Sequence, residues 1–290
     1  QLTPQLAMQL GQSAAAVLAS AHPRPRVLIA RDTRQSGDML EAALAAGFSS
    51  AGCDVDLLGV LPTPTLAWLV REEDVQLGAM ISASHNPAPD NGIKLFSGTG
   101  SKLSDAVELQ IESGLHHPER LSQACQAITG ARVGRVQLRD TTEAALPYLK
   151  ALLALVDVDL KGLRIALDTA HGAMYQVAPE AFRLLGMDPP VLFAQPDGMN
   201  INLNCGSTHL EALQEYVIAN QLDLGVAFDG DGDRCLLVGP QGQMLDGDFI
   251  LYLCSRYLPA YAQSSAVVAT VMSNLGLEQA LNAQGKQLLR

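Results

Sequence analysis

Residues Leu77–Pro87, LGAMISASHNP, join two kinds of sequence that belong together at one end of an open α/β sheet. The first five are a short unbroken apolar run, as a strand buried on both faces requires. Polarity then changes abruptly, and Ser82 to Gly92 is rich in the Ser, Asn, Pro and Asp of turns. Ligands bind outside the carboxyl ends of strands in such sheets, so this loop stands where chemistry is expected. Ser84, with an imidazole (His85) and an amide (Asn86) beside it, could carry a transferable phosphoryl group. The same residues also make an ordinary surface turn, and local composition does not separate the two readings. Asp90–Lys94 (DNGIK) adds a turn glycine and returns a cationic lysine, Lys94, toward the loop.

Outward from this stretch, strands alternate with helices. Upstream, Thr3 and Pro4 read as N-cap and first helical position, opening a helix over Leu6–Ala19. Arg26–Ala30 (RVLIA) is a short buried strand ending at the polar turn Arg31–Asp32–Thr33–Arg34. A helix over Gly37–Ala51, a strand over Asp54–Val60 and a helix from Pro62 to Glu73 lead to Leu77. Downstream the pattern loosens between His116 and Arg139, and a helix follows over Thr142–Leu155. A second run has strands at Leu163–Asp168, Val191–Ala194, Leu224–Phe228 and Cys235–Val238. A third has a helix at Phe249–Leu258, a strand at Ala266–Val271 and a helix at Leu275–Ala283. The expected fold class is α/β, with consecutive α/β domains of mixed, mainly parallel sheets flanked by helices. The expected domains are 1–141, 142–244 and 245–290. The third is expected to be incomplete, because barely one βα unit cannot bury a good core alone.

Composition narrows the function classes. Nearly half of the 290 residues are apolar, enough for buried cores, and no apolar run reaches the roughly 20 residues that span a bilayer. Gln1–Leu10 lacks the charged and apolar regions of a secretory leader. The five cysteines are scattered and form no C-x-x-C pair, which reads as reduced thiols in a cytoplasmic protein. A net charge of -11 argues against nucleic acid and anionic membrane as partners. An anionic small molecule remains admissible, because local donors suffice for it.

Asp229–Arg234 (DGDGDR), between the apolar strands 224–228 and 235–238, carries the second constellation. Three carboxylates at alternate positions repel one another without a cation, and the intervening glycines let the backbone fold tightly enough for them to converge. Oxygen-only ligands select a hard ion, Mg²⁺ or Ca²⁺. An EF-hand loop fails at its sixth position, Arg234 in place of glycine, and at its twelfth, Pro240 in place of glutamate. A solvated acidic hairpin is the remaining alternative. A phosphate on Ser84 would supply the anionic oxygen that three carboxylates leave wanting. Arg31 and Arg34, on a strand-end turn, could line a phosphate site, although solvated turn arginines are common. His171 reads as a capping or packing residue, Cys205 and Cys235 as buried thiols, and His116 and His117 as a solvated helix end.

Ile81–Pro87 (ISASHNP), Asp90–Lys94 and Asp229–Arg234 resemble the signature loops of the α-D-phosphohexomutases in wording, order and spacing, and the similarity extends over essentially the whole chain. Those enzymes interconvert 1- and 6-phosphosugars through a bisphosphorylated intermediate. The resemblance implies Ser84 as the phosphoserine, and Asp229, Asp231 and Asp233, with Ser84, as ligands of one Mg²⁺. It offers His85 and Lys94 as acid/base groups without choosing between them, and Arg234 as a catalytic neighbour. Arg31, Arg34 and Asn86 are the expected substrate- and phosphate-binding residues. Ile81–Lys94, Pro196–His209 (PDGMNINLNCGSTH) and Val271–Glu278 (VMSNLGLE) are similar to the branch that acts on glucosamine phosphates. Glucosamine 6-phosphate and 1-phosphate are therefore the expected partners. Glucose or mannose phosphates, or a non-catalytic metal- or phosphosugar-binding role, are the alternatives, and a homodimer is compatible with the sequence. The family's GTDGIRG, E-x-S-G-H and R-x-S-G-T-E-P segments are not found in this sequence, so little turnover is expected of the chain by itself.

Overall fold

The computed structural model describes residues 2–290, and Gln1, the first residue of the segment read for a leader, lies outside them. The first unit begins with α1 (Pro4–Ala19), whose N-cap Thr3 accepts from the Leu6 amide, and continues through β1 (Arg26–Arg31), α2 (Ser36–Ser50), β2 (Asp54–Val60), α3 (Thr63–Glu72) and β3 (Leu77–Ile81). Then come β4 (Ile93–Ser97), α4 (Asp105–Leu115), α5 (Pro118–Gln126), β5 (Val136–Leu138) and α6 (Thr141–Leu153). The five strands lie in the order β4-β3-β1-β2-β5, all parallel except the antiparallel edge strand β4.

Period-2 alternation along β1 builds two cores at once. Val27 and Ile29 face Leu40, Leu44 and Phe48 of α2 and Ala7 and Ala14 of α1. Leu28 and Ala30 face the other way, against Leu66 and Leu69 of α3 and Ala144 and Leu149 of α6. Burial on both faces is what made these strands read as continuous apolar runs. Helices α1 and α2 touch through their backbones: a Cβ on Gly47 would lie 2.2 Å from the Met8 carbonyl oxygen.

The second unit holds β6 (Ile165–Asp168), α7 (Met174–Leu184), β7 (Val191–Leu192), α8 (Glu211–Ala219), β8 (Leu224–Phe228), β9 (Cys235–Val238) and β10 (Met244–Leu245). Its sheet runs β10-β9-β8-β6-β7, parallel through β7, β6 and β8 and antiparallel beyond. Helix α8 covers one face through Leu213 and Val217, and α7 covers the other through Ala178 and Phe182. Val177 of α7 packs into the first unit's core beside Leu66 and Leu149, which joins the two units. Beyond them lie α9 (Gly247–Tyr257), α10 (Pro259–Ala262), β11 (Ala266–Val268), α11 (Leu275–Ala283) and β12 (Gln287–Leu289), with β11 and β12 paired in parallel. No helix among the described residues is long and apolar enough to cross a membrane.

Three expectations need correction. The stretch expected to be loose contains α5 and β5, which the pattern missed because β5 is exposed at every position and Leu121 is the buried anchor of α5 among its described side chains. The strand expected over Val191–Ala194 stops at Leu192, because Phe193 turns to a φ of 53°. The strand expected to Val271 stops at Val268; Thr270 then forms a turn, its carbonyl accepting from Ser273 and its hydroxyl from the Met272 amide.

Candidate active site

The loops that follow β3 and β8 meet. Ser84 Oγ donates to Asp229 Oδ2 at 2.6 Å, a contact that closes 145 residues of chain. Ser84 is 9% exposed, and its backbone takes a φ of 53°, a left-handed conformation uncommon for a residue with a side chain. The turn is held from several sides. Its own amide donates to Ser82 Oγ at 2.9 Å. Its carbonyl accepts from Arg34 Nη2 at 3.1 Å and from Asn202 Nδ2 at 2.9 Å, one donor from each unit. Asn202 also donates to the Asn86 carbonyl at 3.0 Å. Gly230 allows this approach, because a Cβ there would stand 2.6 Å from the Ser84 carbonyl oxygen and 2.7 Å from Asn202 Nδ2.

The acidic loop is gathered against the first unit. Asp229, Asp231 and Asp233 bring ligand oxygens within 4.8 Å of one another. Asp231 Oδ2 accepts from Lys94 Nζ at 2.6 Å and from Thr63 Oγ1 at 2.7 Å, and the Asp231 carbonyl accepts the Thr63 amide at 2.9 Å. Lys94 also reaches Asp233 Oδ2 at 3.4 Å. Burial pushes the Asp229 carboxyl up to about 6, with the charges of Asp231 and Asp233 adding and the Ser84 hydrogen bond opposing. Burial acts upward on Asp231 too, but the hydrogen bonds from Lys94 and Thr63 outweigh it and hold that group below the usual carboxylate value. Desolvation pulls the Lys94 ammonium down, yet Asp231 and Asp233 raise its pKa overall. The two carboxylates thus favour the charged form of Lys94.

The remaining expected residues divide. His85 and Arg234 come together at the mouth, Arg234 Nη1 lying 2.9 Å from His85 Nδ1, while the Arg234 amide donates to Asp229 Oδ1 at 3.1 Å. Asn86 turns its amide to Asp90 Oδ2 at 3.1 Å. Arg34 is wholly buried and does not point at an open anion site: its guanidinium bonds Asp32 and the carbonyls of Ser84, Asn86 and Pro87. Arg31 lies against α2, paired with Asp38 at 2.5 Å and Glu41 at 3.5 Å, and makes no bond to the Ser84 loop. Cys205 is buried, and burial lifts its thiol to about 12, but Cys235 is exposed as the opening residue of β9. His171 accepts the Gln195 amide and stacks edge-on against Phe193, a packing role.

Sequence reasoning missed Thr63 and Asn202. Thr63 carried a positional signal, since it follows the end of β2 at the same edge of the sheet. Asn202 carried none beyond its place in a segment dense in asparagine.

Residues 1–121 match the profile described as "Phosphoglucomutase/phosphomannomutase, alpha/beta/alpha domain I", residues 146–242 match domain II of that description, and residues 246–290 match domain III. The chain belongs to the phosphoglucomutase/phosphomannomutase family, the α-D-phosphohexomutases. Within the family it is 48% identical to the phosphoglucosamine mutase of Pelotomaculum thermopropionicum, a match covering 100% of this chain and 64% of that protein. It is equally 48% identical to the phosphoglucosamine mutase of Pseudomonas putida, covering 97% of this chain and 61% of that one. The chain therefore spans less than two thirds of the length of these relatives. A phosphoglucomutase/phosphomannomutase family protein from Burkholderia thailandensis superposes with a TM-score of 0.78 at 25% identity, covering 99% of this chain and 62% of that structure. The parafusin phosphoglucomutase of Paramecium shares the fold with a TM-score of 0.74 at 18% identity, covering 97% of this chain and 58% of that structure.

Proposed function

We propose that this phosphohexomutase chain carries the phosphoryl-transfer centre of a phosphoglucosamine mutase, interconverting glucosamine 6-phosphate and glucosamine 1-phosphate by way of a phosphoserine at Ser84. The observation that carries the reading is the 2.6 Å hydrogen bond between Ser84 and Asp229, which puts the candidate nucleophile inside an all-oxygen acidic cluster. The amino sugar is favoured by the likeness to phosphoglucosamine mutases along the whole chain.

The cluster fits a hard divalent ion. Asp231 Oδ1 is buried without any hydrogen-bond partner, a costly state for a carboxylate oxygen unless a cation takes it. In this reading Asp229, Asp231 and Asp233, with an oxygen on Ser84, would hold one Mg²⁺. When bound, the ion supplies positive charge that neutralises the phosphoryl group in transfer.

The chain's own residues do the rest. In the first half-reaction the C1 hydroxyl oxygen of glucosamine 6-phosphate attacks the phosphorus on Ser84. The bond to Ser84 Oγ breaks, the hydroxyl proton passes to a neighbouring base, and a 1,6-bisphosphate forms. After the sugar has turned over, Ser84 Oγ attacks the 6-phosphoryl group. The bond to the sugar's 6-oxygen breaks, that oxygen takes a proton, and glucosamine 1-phosphate leaves. Lys94, held as a cation by Asp231, suits proton donation and charge stabilisation. His85, whose Nδ1 accepts from Arg234 Nη1, is the other candidate proton-transfer group beside the Ser84 loop.

Loading Ser84 with phosphate and following its discharge tests the substrate. In a longer form of the protein that carries the E-x-S-G-H and R-x-S-G-T-E-P segments, glucosamine 6-phosphate should remove the phosphate at least about tenfold faster than glucose 6-phosphate or mannose 6-phosphate, about 1.4 kcal/mol of discrimination. Faster discharge to either hexose phosphate would overturn the amino-sugar assignment.

A further inference from the structure

Thr63 opens α3 just beyond the end of β2, in the unit that carries Ser84, and it is 7% exposed. It grips Asp231 of the other unit at two points, amide to carbonyl at 2.9 Å and hydroxyl to Oδ2 at 2.7 Å. With Lys94 also on Oδ2 at 2.6 Å, that oxygen is filled entirely by donors from the first unit. Oδ1, buried and unpartnered, is what remains for a ligand. Side chains that orient ligating groups commonly control metal affinity as strongly as some ligands do.

We propose that the Thr63 hydroxyl is a positioning residue for divalent-cation binding, fixing the rotation of the Asp231 carboxylate so that Oδ1 faces the cluster. The proposal rests on the reading of Asp229, Asp231 and Asp233 as a metal site. It makes cation affinity depend on how the two units dock, because the ligand belongs to one unit and the hydroxyl that aims it to the other. Loss of the hydroxyl leaves the amide contact in place but frees the carboxylate to rotate. Threonine, valine and serine separate shape from hydrogen bonding at this position: valine keeps the volume and loses the donor, whereas serine keeps the donor.

The test is a Mn²⁺ titration of the chelator-stripped 290-residue chain, read by calorimetry, together with thermal melts in EDTA. Wild type should bind one Mn²⁺. Thr63→Val should raise the dissociation constant about tenfold or more, and Thr63→Ser should stay within about threefold of wild type. A merely structural role would lower the melting temperature in EDTA and leave Mn²⁺ affinity unchanged. Should Thr63→Val not melt cooperatively, Thr63→Ala replaces it with the same expectation. Equal affinity in wild type and the hydroxyl-free variant overturns the inference alone, as does a Thr63→Ser defect as large as that of valine. No Mn²⁺ uptake by wild type overturns the metal site itself, and this inference with it.

Discussion

At the residue scale, the contrast between Arg34 and Ser84 explains what a sequence can disclose. Ser84 and the three aspartates stood out as candidates because their chemistry is written in adjacent letters: a hydroxyl beside an imidazole, and carboxylates spaced by glycine. Arg34 was read as an anion ligand, yet it is wholly buried and its guanidinium braces the Ser84 turn. An arginine at a strand end looks the same whether it faces solvent or carbonyl groups some 50 residues onward in the chain. Burial of its partner Asp32, itself pushed above its ordinary pKa by desolvation against the pull of Arg34, could not be read from spacing either. Arg34→Lys keeps the charge but not the planar fork. It should lower unfolding free energy by about 2–3 kcal/mol, through lost charge-assisted bonds and stranded carbonyls. Urea denaturation measures it, and a change below about 0.5 kcal/mol would contradict the bracing role.

Elements with a two-sided or amphipathic burial pattern were legible, and those at the edges were not. β1 and β3 are buried almost throughout, so their apolar runs stood out. β4 is half-buried along its whole length and β5 is exposed, so neither carries a clear period. The α1–α2 contact depends on small residues, whose role appears only when two backbones approach. Gly47→Ala should drive a methyl into the Met8 carbonyl, separate the helices and cost about 1–3 kcal/mol, seen as a lower thermal midpoint. An unchanged midpoint would mean that α1 moves away without penalty.

For the molecule as a whole, the candidate site forms only because two α/β units dock. Ser84, Thr63 and Lys94 come from one and Asp229, Asp231 and Asp233 from the other, with Arg34 and Asn202 meeting at the Ser84 carbonyl. Sequence patterning located both loops, and the unfilled coordination of the acidic loop pointed to an oxygen on Ser84, but no local rule states that loops so far apart share a hydrogen bond. The most direct measurement is phosphopeptide mapping after exposure of the chain to a hexosamine 1,6-bisphosphate, with and without Mg²⁺. The account predicts phosphate on Ser84 that needs Mg²⁺ and disappears in Asp231→Asn. Phosphate on another residue, no phosphate at all, or Ser84 phosphorylation that is indifferent to both Mg²⁺ and Asp231 would contradict it.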